Sequence, residues 1–298
     1  MHVVIAGGSG FLGRALTATL EREGHRVSVL TRRARPGHPE DIAWMPNGQS
    51  GPWARALAGV DAVVNLAGEG IADKRWTAAR KQALVQSRLA ATTSLVQAIR
   101  DLPAPRPAFI SGSGVGYYGP TGDARITEAA PAGHDFVATM AAQWEAAAAP
   151  AEAFTRVVLL RTGLVLGKEG ALAKMLLPFR LGVGGRLGPG TQWMPWISVD
   201  DWVGLTVRLI TDDTARGAFN LSAPAPVTNA EFTRTLGTVL RRPTVFAVPG
   251  FALTLALGEL SDVLLTGQRA MPDKAQALGY TFRHPTLEPA LRAALALA

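Results

Sequence analysis

Residues 2–13 read His-Val-Val-Ile-Ala-Gly-Gly-Ser-Gly-Phe-Leu-Gly, an apolar run that breaks into glycines and opens onto a helical pattern. His2 to Ala6 has the length and β-branched content of a buried strand, and Phe11 to Glu23 that of a helix. Between them Gly8, Gly10 and Gly13 satisfy GxGxxG, while Gly7, Gly10 and Gly13 satisfy the GxxGxxG variant. Missing side chains let the turn tighten, the backbone approach a pyrophosphate, and the helix sit close to the strand. The phosphates then face free N–H groups at the helix amino end. A strand, a glycine turn and a helix in that order favour dinucleotide binding over a plain tight turn. The predicted contact residues are Gly7, Gly8, Ser9, Gly10, Phe11, Leu12 and Gly13.

The same rhythm continues outward. Brief apolar strands are expected at Arg26 to Leu30, Asp61 to Leu66, Ala108 to Ser111 and Arg156 to Leu160, with a weaker one at Ile42 to Met45. Long Ala-, Leu- and Gln-rich segments at Thr77 to Arg100 and Phe136 to Ala149 read as the intervening helices. This alternation predicts an α/β fold of the Rossmann type, a doubly wound parallel sheet. After Arg161 the pattern changes to a Gly/Pro-rich stretch from Gly182 to Pro195, a short strand at Trp196 to Val199 and a helix from Asp200. We therefore expect residues 1–165 to form the dinucleotide-binding domain, with 200–225 returning to it through a strand at Gly217 to Leu221. Residues 166–199 and 226–298 would then make a small, discontinuous carboxyl-terminal substrate lobe. The glycines around Arg186 are expected to form a rim or lid, with Trp193 and Trp196 offering apolar surface to a ligand.

The end of the second strand selects the cofactor. An acidic residue there binds the ribose hydroxyls of NAD. Here the strand ends Thr31, Arg32, Arg33, and guanidinium matches phosphate bidentately, so NADP is the expected cofactor. The alternative is that both arginines simply lie in solvent.

Composition removes other functions. Of 298 residues, 48% are hydrophobic and 18% charged, enough apolar content for a sizeable core. Zero cysteine excludes disulfides, thiolate nucleophiles and zinc ribbons, and the five scattered His offer no metal-site spacing. The net charge of +7 is spread along the chain without interleaved aromatics, so no nucleic-acid partner is expected. The apolar start runs straight into glycines rather than a signal-peptide core, and the cytoplasm is the expected compartment. Phe251 to Leu265, interrupted by Glu259 and Asp262, is too short for a membrane span and reads as a buried helix.

Further motifs accompany the glycine loop: Asn65-Leu66-Ala67-Gly68 at a strand end, Ser111 to Gly119 (SGSGVGYYG), Asp200 and Asp201 in ISVDD, and Gly217 to Ser222 (GAFNLS). With them the chain resembles the short-chain dehydrogenase/reductase superfamily, in its extended and atypical branches. The stretches from Arg75 (RWTAARKQALVQSR), from Gly267 (GQRAMP) and from Gly279 to Leu291 are similar to the NAD-dependent epimerase family over essentially the whole chain. The resemblance implies a Rossmann domain with a small substrate lobe, and Leu66, Ala67 and Gly68 join the cofactor contacts. It also implies a catalytic Tyr and Lys four residues apart, whose phenolate exchanges a proton with substrate while hydride moves. The corresponding helix here carries Phe136 and Met140, which hold no proton to give.

Ser113 and Tyr118 are the expected catalytic substitutes, with aromatic packing of Tyr117 and Tyr118 as the alternative. Glu69, Asp73, Lys74 and Arg75 follow a strand end where ligands bind, and Arg75 with Trp76 is a candidate wall of the substrate site. Lys81 and Arg88 share a helix face that reads as solvated. His134 and Asp135 read as a helix start, and Asp200 and Asp201 as caps. The expected function is an NADP(H)-dependent oxidoreductase or epimerase acting on a small hydroxyl- or carbonyl-bearing metabolite. The alternative is a catalytically silent NADP(H)-binding redox sensor. A homodimer is left open.

Overall fold

The computed structural model describes residues 1–35, 37–38 and 40–296. The expected spans 1–165 and 226–298 include the other four positions, which lie outside the described residues. Seven parallel strands form the central sheet: β1 (His2–Ala6), β2 (Arg26–Thr31), β3 (Asp41–Ala43), β4 (Ala62–Asn65), β5 (Ala108–Gly114), β6 (Val157–Thr162) and β7 (Gly217–Leu221). Their order across the sheet is β7-β6-β5-β4-β1-β2-β3. The chain winds one way from β1 and then the other from β4, so a crevice opens between these two strands at their carboxyl ends, where α/β sheets bind ligands.

Alternating strand residues supply two cores. Val3 and Ile5 face one side with Leu16 and Leu20 of α1 (Phe11–Arg22) and Trp202, Leu205 and Leu209 of α5 (Val199–Thr211). Val4 and Ala6 face the other with Leu95 and Ile99 of α2 (Ala78–Arg100). A sheet covered on both faces needs strands without polar alternation, and Val3 to Ala6 of β1 has none. α3 (Phe136–Ala148) lies beside α2 and is capped by Asp135, whose carboxylate accepts the Ala138 N–H at 2.8 Å.

A third core joins Leu172, Leu176 and Phe179 of α4 (Gly170–Arg180) to Phe232 and Leu236 of α6 (Asn229–Leu240), to Trp196, and to Leu287 and Leu291 near the carboxyl end. Short ladders stitch this part together: Leu164–Leu166 with Trp196–Ser198, Gly185–Leu187 with Phe246–Val248, and Trp193–Met194 with Val227–Thr228.

Two expectations need correction. The third strand stops at Ala43 rather than Met45, because the Trp44 side chain is buried edge-on against Trp53 with ring centroids 5.3 Å apart. Phe251 to Leu265 is not one buried helix. α7 (Gly250–Leu257) ends at Gly258, whose φ of 62° breaks the run, and Phe251 and Leu255 are 77% and 79% exposed. No helix among the described residues is long and apolar enough to cross a membrane.

Candidate cofactor and substrate site

The glycine loop is shaped by backbone contact. Gly7 has φ 82°, and a Cβ there would lie 2.7 Å from the Leu66 carbonyl. A Cβ on Gly8 would come 2.7 Å from both Val29 methyl groups, and one on Gly13 would overlap the Gly7 carbonyl and Gly8 Cα. Side chains at these points would push β1, β2, β4 and α1 apart, so the glycines close the crevice floor and leave its mouth lined by backbone. Ser9 and Gly10 are exposed at the head of α1, where no side chain caps the free N–H groups. Phe11 turns away, with its ring against Gly167 and against Gly170 at the start of α4.

At the end of β2, Thr31 turns the chain by accepting the Arg33 N–H at 3.4 Å. The neighbouring arginines are spoken for: Arg26 pairs with Glu40 and Arg35 with Asp41. Arg32 and Arg33 are exposed and make no ion pair among the described residues. Two uncommitted guanidiniums thus stand beside the glycine loop. The residues present fit an NADP-sized dinucleotide: a floor no side chain can enter, a free helix terminus for the pyrophosphate, and spare cations for an extra phosphate.

The other end of the crevice is built from side chains. Phe136 and Met140 join Trp76, Leu84 and Leu260 in a small apolar cluster, with Phe136 edge-on to Trp76 at 5.0 Å. Beneath them, the Glu145 carboxylate of α3 receives both Arg161 Nε and Nη2 of β6 at 2.8 Å. The pair is 9% and 6% exposed. Ser113 Oγ donates to the same carboxylate at 2.6 Å. Tyr118, 4% exposed, donates to Asn220 Oδ1 at 2.7 Å and accepts from Arg161 Nη1 at 2.9 Å. Burial pushes the Tyr118 phenol above its ordinary value, outweighing the lowering pull of Arg161 and Asn220. Burial alone would lower the Arg161 pKa, but Glu145 and Tyr118 reverse it and raise it. Ser113 and Tyr118 are therefore brought together, through one buried ion pair, and both hydroxyls already serve it.

The NAD dependent epimerase/dehydratase profile matches residues 3–222. The chain belongs to that family. A domain of unknown function matches residues 248–294. Epimerase family protein Mb2239 of Mycobacterium bovis is 44% identical over 293 residues, covering 97% of this chain and 96% of its own. Epimerase family protein SDR39U1 of Homo sapiens is 39% identical over 297 residues, covering 98% and 99%. The crystal structure of human SDR39U1 (isoform 2) with NADPH superposes with a TM-score of 0.91 at 37% identity, covering 99% of both chains. A nucleoside-diphosphate sugar epimerase from Corynebacterium glutamicum aligns with a TM-score of 0.81 at 34% identity, over 99% of this chain and 58% of that longer one.

In this epimerase-family chain three ion pairs tie segments beyond β6 to the helices and loops of the first half: Arg14 with Glu169, Lys174 with Asp73 at 2.9 Å, and Lys81 with Glu259 at 2.6 Å. Asp73 is thus tied to α4, and Glu69 to Arg80. Arg75 remains exposed beside Gly258, whereas Trp76 is buried. Trp193 lines a cleft of about 310 Å³ with Asp123, Gln192 and Gly267, its Nε1 donating to Asp123 at 2.9 Å. Trp196 offers nothing to a ligand. It is fully buried and donates to the Ala225 carbonyl, because the third core needs a large side chain there.

Asp200 and Asp201 are not the caps of α5, since Ser198 holds that position. Asp201 is buried and accepts the backbone N–H groups of Arg283 and His284 at 2.6 and 2.9 Å, fastening the carboxyl-terminal segment. Arg88 also departs from expectation. It lies over the Trp144 ring at 5.1 Å rather than in solvent. The buried pair Glu145–Arg161 escaped the sequence reading, although a lone charge directly after the apolar run Val157 to Leu160 was its one visible trace.

Proposed function

We propose that this protein is an NADP(H)-dependent oxidoreductase or epimerase of the short-chain type, acting on a small metabolite that bears a hydroxyl or carbonyl group. The observation that carries the cofactor reading is the pair of uncommitted guanidiniums, Arg32 and Arg33, beside a loop that only backbone can line. The NADPH complex of human SDR39U1 supports it. Gly7 to Gly13 and Leu66 to Gly68 would hold the pyrophosphate and the adjoining ribose, and Thr31, Arg32 and Arg33 the adenosine phosphate. When bound, the cofactor supplies the hydride.

Phe136 and Met140 keep that end of the crevice dry but provide no proton. Ser113 and Tyr118 act as positioning residues: they saturate Glu145 and Arg161, and so fix α3 against β5 and β6. Titration of the whole protein with NADPH and NADH tests the reading. Arg32→Glu should weaken NADPH by about tenfold or more, the worth of one charge-assisted contact, while NADH changes little. Equal loss for both cofactors would refute the phosphate role. A screen of carbonyl compounds for NADPH oxidation tests the catalytic half, and the absence of turnover throughout would count against it.

A further inference from the structure

Three arginines are drawn out of solvent around the sheet, and they are not equally satisfied. Arg156 donates to three backbone carbonyls, those of Leu209, Ile210 and Ala215. Arg161 has the two oxygens of Glu145 and the Tyr118 hydroxyl. Arg88 has one hydrogen bond, from Nη1 to the Leu84 carbonyl a turn back in its own helix at 2.9 Å. No carboxylate among the described residues pairs with it, and its Nε is buried without any partner. Burial holds its pKa down to about 10, so it stays charged at neutral pH. An unpaired buried charge costs stability, and a fold keeps such a group where a ligand completes it.

Its position says which ligand. The Arg88 side chain lies against Gly68, where a Cβ would come 3.1 Å from Cγ and 3.3 Å from Cζ. A Cβ on Gly7 of the glycine loop would strike the backbone of Leu66 and Ala67, the two residues before Gly68. On the other side the guanidinium rests on Trp144, whose ring edge would be 2.9 Å from a Cβ on Gly112 of β5. The indole is itself anchored, donating to Thr92 Oγ1 at 2.9 Å, and Asn65 donates to the same hydroxyl. A rigid cation is thus set between the carboxyl ends of β4 and β5, across the switch point from Arg32. Guanidinium in such a place favours a planar or tetrahedral oxyanion.

We propose that Arg88 is an anion-binding residue of the crevice, receiving a carboxylate or phosphate oxygen of the ligand bound there, carried by the substrate or by the cofactor itself. This rests on the cofactor reading above and extends it to the opposite half of the crevice. The test uses the full-length protein labelled with 5-fluorotryptophan, the Trp144 fluorine signal being assigned with Trp144→Phe. NADP⁺ is titrated first, then oxalate and inorganic phosphate, both with and without NADP⁺.

In the wild type, one of these should move the Trp144 signal saturably. Arg88→Met should lose at least about tenfold in that affinity, Arg88→Lys less, since Lys keeps the charge without the fork. Loss confined to NADP⁺ assigns the anion to the cofactor; loss confined to oxalate or phosphate assigns it to the substrate. Arg88→Met should also melt at a higher temperature than wild type, where a structural role would lower it. Unchanged binding of NADP⁺, oxalate and phosphate in both variants would overturn the proposal. Failure of wild type to bind NADP⁺ would sink the cofactor reading alone, because the oxalate and phosphate titrations of the free protein still decide the role of Arg88.

Discussion

The two ends of the crevice are made of different materials. At the β1–α1 end the crevice wall is backbone, held open by glycines whose missing Cβ atoms would strike Val29, Leu66 and the loop itself. At the β5–α3 end it is side chain: Phe136 and Met140 in an apolar cluster above, and Ser113, Glu145, Arg161, Tyr118 and Asn220 in one buried network below. Backbone surfaces are generic to a cofactor that many proteins share, whereas side-chain surfaces are specific to a reaction. The missing Tyr and Lys pair, replaced by Phe136 and Met140, falls on the second kind.

That contrast can be broken at several points. The largest effect should come from Glu145→Ala, which strands the Arg161 guanidinium in the core. Removing one partner of such a pair costs about 3–5 kcal/mol, and chemical denaturation should show it. A loss below about 1 kcal/mol would mean that water enters and the network is not dry. At the other end, Gly13→Ala drives a Cβ into the Gly7 carbonyl and should weaken NADPH about a hundredfold by fluorescence titration, with the β5–α3 network intact. Near-native affinity would show that the loop yields.

Smallest is Tyr118→Phe, expected to cost about 1–2 kcal/mol by unpairing Asn220 Oδ1 and one Arg161 N–H. Its pH signature is sharper. The folded phenol titrates above its ordinary pKa of 10.0, so its contribution is fully present below that pH and is lost as pH rises towards the folded value. Stability of the wild type should therefore fall above pH 10. Tyr118→Phe should flatten part of that slope, Tyr280, whose pKa is raised as well, leaving the remainder. An unchanged slope would place Tyr118 in solvent.

Legibility in the sequence followed the same division. Glycine spacing and β-branched runs are local signals, and they yielded the parallel sheet and the glycine turn between β1 and α1. The return of Gly217 to Leu221 to the sheet edge was also readable, because a strand flanked by turns has few other places to go. The Glu145–Arg161 pair spans sixteen residues and two elements, and neither residue marks itself as buried. Arg88 shows why charge alone misleads: seven residues from Lys81 on one helix face, it has an indole beneath it that only the α2–α3 packing supplies. Trp196 and Asp201 were misread for the same reason, since each is defined by a carboxyl-terminal core assembled from distant segments.

Three ion pairs that tie segments beyond β6 to the first half of the chain are open to the medium. Arg14–Glu169, Lys174–Asp73 and Lys81–Glu259 all involve exposed or half-exposed side chains, each worth no more than about 1 kcal/mol and screened by salt. Parting them is cheap, and cheaper as ionic strength rises. The salt-sensitive part of this attachment is confined to these contacts, while the apolar packing of Leu257 and Leu260 against Trp76 and Leu84 is left unscreened.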